Sequence, residues 1–276
     1  MRLLLLVMLL CLPAFAQEFE LQYVTPDKFL EIYADHPVDQ ARCQAVAARI
    51  AKVYAFLEQR EGWKNPALLR AKPLQFRLVQ GLKVLGYAQG PNLMVMKDAY
   101  LDDPLSEGTL AHELTHIQDF RQLQGAKLPS FLLEGRALTN GQAYRASLGQ
   151  GPNRYDSQMA GSAVRFTAAQ ANVLLDDERG KGWDNQAIGT VLVEFMRTRW
   201  NGGLADVHPK LSRMIEMMAQ GVELEAAFQK VFGASVTSLG EAFDKFLTST
   251  QGDPGARLQG TIWQGLELAE GAGDEE

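Results

Sequence analysis

Cysteine is almost missing from this chain. Of 276 residues only Cys11 and Cys43 carry a thiol, so no framework of disulfides can hold the protein together and its stability must come from a hydrophobic core. No apolar run reaches the roughly 20 residues that a membrane-spanning helix needs. The run from Leu3 to Leu12 follows Met1-Arg2 and closes on Pro13-Ala14-Phe15-Ala16-Gln17. Ala14 and Ala16 form a small-x-small cleavage signal, which marks residues 1–16 as a signal peptide cut after Ala16. The mature chain is then expected outside the cytoplasm, secreted or periplasmic, with no transmembrane segment. Leu9 and Leu10 precede Cys11 where a lipid-attached cysteine requires small residues, so cleavage is favoured over lipidation. Basic residues are also in deficit, 27 against 33 acidic ones, giving a net charge of −6. That balance disfavours nucleic acid as a partner.

With 46% apolar residues, the mature chain can bury a sizeable core. One globular unit is expected over residues 17–250, followed by an acidic, solvated tail at 251–276 that ends ELAEGAGDEE. Oligomeric state leaves no mark in the sequence. Between Asp39 and Arg60 the residues Cys43, Val46, Ala47, Ile50, Val53, Tyr54 and Leu57 recur at spacings of three and four, one face of a helix that ends near Gly62. Cys43 on that face reads as a small buried residue. Leu74–Val79, Leu82–Ala88 and Leu93–Met96 read as short strands, the last two forming a hairpin across Gln89-Gly90-Pro91-Asn92. Beyond Asp103-Pro104 the pattern is helical, interrupted by a Gly-rich stretch from Gly149 to Gly161 and a polar one from Asp176 to Asn185. The methionines of the last third fall on apolar helix faces and read as core filler. The fold class is α+β: a small N-terminal sheet followed by a mostly helical C-terminal lobe.

The chain has four histidines, and two of them stand in His112-Glu113-Leu114-Thr115-His116. Residues four apart share a helix face, so both imidazoles can reach one ion. Zinc would accept both nitrogens and still have room for a third protein ligand and a water, whose proton the carboxylate next door could take. A second helix begins at Pro129-Ser130, after a tight turn that starts at Gly125, and it carries Glu134 near its start. Folded back on the first helix, that glutamate can face the histidines.

These segments resemble the gluzincin metallopeptidases, and within them the peptidase-MA-like domains. The resemblance rests on Ala111-His112-Glu113-Leu114-Thr115-His116 and on Pro129-Ser130-Phe131-Leu132-Leu133-Glu134-Gly135-Arg136-Ala137, which is similar to the family's P-x-W-L-x-E-G-x-A. Weaker likeness extends over about residues 73–247, with the hairpin placed ahead of the zinc helix. The resemblance implies a zincin-like fold, Zn2+ held by His112, His116 and Glu134, and Glu113 as the general base that activates a zinc-bound water. It implies a peptide or protein substrate. The strand Leu93–Met96 is expected to border the cleft as an exposed edge, because such enzymes hold substrate as an added strand.

The chain departs from the family in three places. Phe131 replaces the tryptophan. Leu138 occupies the position where thermolysin has an aspartate that orients a ligand histidine, so that support must come from elsewhere, Asn140 or Asp119. Trp183-Asp184-Asn185-Gln186 stands where the family often opens a helix with tyrosine, which leaves His208 and Tyr155 as candidate donors to the developing oxyanion, His208 first. His36, before Pro37, reads as a surface or capping residue, and Arg136 as a solvated one. Two functions follow. One is a secreted zinc peptidase; the alternative is a degenerate zincin that binds zinc and an envelope partner with little or no turnover.

Overall fold

The structure is a computed structural model and describes residues 18–62, 72–151 and 183–249. The leader, the acidic tail and Tyr155 lie outside these residues. The sheet has five strands, β1 (Glu20–Val24), β2 (Leu30–Ala34), β3 (Leu74–Val79), β4 (Gly86–Gln89) and β5 (Leu93–Lys97), in the spatial order β1-β2-β3-β5-β4. β2, β3 and β5 run parallel, and the outer strands β1 and β4 pair antiparallel with their neighbours. Helix α1 (Gln40–Glu61) crosses between β2 and β3. The other long helices follow the sheet: α2 (Ser106–Leu123), α3 (Ser130–Ser147), α4 (Trp183–Thr198), α5 (Val207–Ala219), α6 (Leu224–Phe232) and α7 (Val236–Ser249). The fold is α+β, as composition and periodicity indicate. No helix among the described residues is long and apolar enough to cross a membrane.

Local sequence explains the sheet side. Alternation in β2 and β3 buries Leu30, Ile32 and Ala34 beside Leu74, Phe76 and Leu78. The apolar face of α1 covers them with Val46, Ile50, Val53 and Leu57, and Cys43 is buried there as a free thiol. Burying such aliphatic side chains stabilises the fold by roughly 1.5–3 kcal/mol each. Asp39 caps α1 by accepting the N–H of Arg42 at 2.7 Å, and Gly62 ends the helix in the left-handed conformation that a β-carbon disfavours. A second core joins α3 to α7, with Phe131, Leu132, Val191, Leu192, Met214, Ile215, Phe228 and Phe243. The buried Met196, Met214 and Met218 are core filler, as expected. Helix α2 gives Leu110, Ala111, Leu114 and Ile117 to the sheet-side core, and α3 opens in the helical one. The junction of the two cores therefore lies between α2 and α3.

Two expectations need correction. The strand beginning at Leu82 is shorter and starts at Gly86. More important, Leu93–Met96 is not an edge: β5 lies between β3 and β4, and β4 is the outer strand on that side. A parallel neighbour brought in by the α1 crossover covers β5, and no local pattern announces that order. β1 and β2 were not anticipated from the sequence.

Candidate metal centre

Helix α2 places His112 and His116 one turn apart with their Nε2 atoms 3.1 Å from each other and the rings at 87°. Glu134, near the start of α3, brings Oε2 to 3.5 Å from Nε2 of His112 and 3.6 Å from Nε2 of His116. All three side chains are largely shielded from solvent. Zinc held by nitrogen and carboxylate oxygen at about 2.0–2.2 Å in a tetrahedral arrangement spaces its ligand atoms about 3.3–3.6 Å apart. The two edges to Glu134 fall within that spacing, and the edge between the two imidazoles, at 3.1 Å, is slightly shorter. Glu134 Oε2 is buried without a hydrogen-bond donor, and His112 Nδ1 is buried without a partner. An acceptor oxygen facing two imidazole nitrogens at these distances is what a cation would satisfy, so the residues present fit zinc.

Electrostatics agree with ligand roles. Burial pushes the His112 imidazolium down to about 3, with His116 adding to the shift, so the ring is neutral and has a lone pair to offer near neutral pH. Burial also opposes charge on His116, but the Glu134 carboxylate outweighs it and raises that pKa. Glu134 itself sits below the usual carboxylate range: burial works against ionisation, and the facing His116 and His112 imidazoles with a hydrogen bond from Gln186 overcome it. The Glu113 carboxylate has an oxygen within 4.8 Å of the histidine nitrogens. Burial pushes it up to about 7, against the opposing pull of His116 and of a backbone hydrogen bond from Ala88 on β4. A carboxyl poised near neutrality can both take and return a proton.

Glycines set the spacing between the helices that carry these groups. A β-carbon on Gly141 of α3 would stand 2.6 Å from the Gly108 carbonyl oxygen of α2. One on Gly189 of α4 would run into the Phe131 carbonyl, and one on Gly135 into Gly189. Helix α3 is thus in backbone contact with α2 on one side and α4 on the other, which brings Glu134 to the histidines and Gln186 to Glu134.

The remaining candidates fall elsewhere. His208, expected as an oxyanion donor, is buried with Nδ1 3.2 Å from Glu61 Oε1 and Nε2 3.3 Å from Thr139 Oγ1. Both ring nitrogens are engaged inside the protein, so it has no N–H to offer a substrate. Burial brings its pKa down to about 4. Arg136 is not solvated but fully buried, paired with Glu61 and Asp119. Asn140 donates to Glu61 and to Thr115 rather than to a ligand histidine. His36 caps nothing: its ring bridges Asp35 at 2.6 Å and Asp98 at 3.0 Å. Sequence reasoning missed Gln186, Glu61 and the paired glycines. Glu61 left one signal, an acid in the last turn of α1, where the helix dipole disfavours it. The chain matches no protein-family model, and no curated protein sequence matches it either.

Proposed function

We propose that the chain is a secreted zinc-dependent peptidase with a zincin-like arrangement, in which His112, His116 and Glu134 hold Zn2+ and Glu113 moves the proton. The observation that carries the reading is the triangle of two Nε2 atoms and one carboxylate oxygen, with edges of 3.1, 3.5 and 3.6 Å. Zinc held there would supply a Lewis acid for the scissile carbonyl and acidify water. Glu113 takes a proton from the attacking water as its oxygen bonds to the carbonyl carbon. The same carboxyl returns the proton to the amine nitrogen as the C–N bond breaks.

Substrate positioning falls to β4. Its pairing places Gly86 opposite Met96 and Ala88 opposite Met94, while the Lys97 N–H donates to the Leu85 carbonyl. In that alternation Gly86 and Ala88 turn their backbone groups away from β5. The Ala88 N–H reaches Glu113, so the outer side of β4 borders the proposed base. An extended peptide added to this edge would bring its main chain past the metal-binding residues.

The test is hydrolysis of unfolded casein by the purified mature chain, with and without chelator, beside Glu113→Gln. The variant should keep one zinc per chain and its fold, and lose turnover by several orders of magnitude, because an amide cannot accept the proton. Near wild-type hydrolysis by that variant would refute the base role. The engagement of His208 by Glu61 and Thr139 favours one second reading, a zinc-binding protein that holds an envelope partner with little turnover. Zinc binding without any chelator-sensitive hydrolysis would select it.

A further inference from the structure

Behind His116 lies a buried chain of charged groups contributed by three helices. Asp119, one turn on from His116 in α2, has a side chain only 2% exposed and places Oδ2 3.9 Å from His116 Nδ1. Its other oxygen, Oδ1, accepts Nη1 of Arg136 from α3. Arg136 is held in turn by the last residue of α1: Nε and Nη2 donate to Glu61 at 3.2, 3.1 and 2.9 Å. Nη2 also donates to Ser212 at 2.8 Å, and Ser212 donates to Glu61 at 2.6 Å. Glu61 receives Asn140 at 2.6 Å as well. Every member of this chain is satisfied except one atom, Asp119 Oδ2, which is buried without a donor.

That orphan oxygen faces Nδ1 of His116, whereas Nδ1 of His112, also buried, has no acceptor beside it among the described residues. When Nε2 of an imidazole is committed to a cation, Nδ1 carries the proton and needs an acceptor. Closing the 3.9 Å separation by about 0.7 Å would bring Nδ1 and Oδ2 into hydrogen-bond range. We infer that Asp119 is a positioning residue for His116: its Oδ2 accepts the Nδ1–H and fixes the tautomer and the ring plane, while Arg136, anchored by Glu61, fixes Asp119. This rests on the metal-binding reading of His112, His116 and Glu134. It assigns the support of the centre to α2 itself, since Leu138 on α3 has no polar atom to give. The two ligand histidines are held unequally. His112 Nδ1 has no partner among the described residues.

The test compares Zn2+ affinity, by competition with a chromogenic chelator, for wild type, Asp119→Asn and Ser212→Ala. Ser212 belongs to the same buried cluster on the far side of Arg136, so its loss reports a merely structural effect. Asp119→Asn should bind zinc about 10- to 100-fold more weakly, the usual effect of removing an acceptor behind a ligand histidine, and Ser212→Ala should stay near wild type. Equal affinity in Asp119→Asn and wild type would overturn the inference while leaving the metal reading intact. If wild type itself binds no zinc, both fall together. Histidine-labelled 15N NMR of zinc-loaded wild type gives an arm that does not depend on variant folding. A protonated Nδ1 on His116 with a downfield, slowly exchanging proton is expected; an unprotonated or rapidly exchanging one would overturn the assignment.

Discussion

Glu134 owes its place to neighbours of two kinds, the imidazoles it faces and the amide of Gln186 that donates to it. Removing the carboxylate and removing its support should therefore differ in degree. Gln186→Ala is expected to weaken zinc by about 10- to 100-fold. Glu134→Ala should weaken it further, and Glu134→Asp should retain part, since the shorter arm still offers an oxygen. Chelator competition on the three variants would rank them, and tight zinc in Glu134→Ala would remove that residue from the ligand set. The two histidines and Glu113 were legible in the sequence because one helix carries them at a spacing that few other requirements produce. Arg136 was not. A charged residue beside a glycine reads as solvated until a partner distant in sequence, here Glu61, turns up across the interface.

Among the elements, β4 and β5 illustrate what short apolar strands conceal. Both were legible as strands of a hairpin, yet which one forms the edge depends on β3, which reaches the sheet through the α1 crossover. The distinction can be tested with proline. Ala88→Pro removes an N–H that points away from β5, so the sheet should survive and zinc should stay, while hydrolysis falls because Glu113 loses its backbone donor and substrate loses a straight edge. Val95→Pro lies in an interior strand and should unfold the protein. Circular dichroism, zinc content and casein hydrolysis on both would decide; an unfolded Ala88→Pro beside a folded Val95→Pro would reverse the order of the strands. Helix α1 was legible almost to its ends, since Asp39 and Gly62 mark them. β2 was not, although Leu30-Glu31-Ile32-Tyr33-Ala34 alternates correctly, because five residues between turn signals carry too little pattern to stand out. The glycine contacts between α2, α3 and α4 were legible only as the glycine of the Glu134-Gly135 pair, with no sign of the backbones pressed against them.

Across the whole molecule, the buried charges tie α1, α2, α3 and α5 together at the point where the two cores meet. Burial alone would raise the Glu61 carboxyl, but Arg136 and His208 hold it well below the usual carboxylate range. Its contribution to stability is therefore present above the unfolded carboxylate value of about 4.3 and is lost as pH falls below it. Glu61→Gln breaks the pair with Arg136 and should cost about 3–5 kcal/mol near pH 7. In urea titrations the gap between variant and wild type should narrow as the buffer is taken below pH 4. A gap independent of pH would mean that packing rather than charge holds this position.

The same junction has a kinetic meaning. Two of the three side chains proposed to hold zinc ride on the helix that packs against the sheet, and the third rides on the helix that opens the other core. A cation captured there would act as a clasp between halves that already meet through glycine backbones and the buried polar cluster around Glu61 and Arg136. Stripping the metal should then loosen the seam, so amide exchange in α3 should quicken in the zinc-free protein.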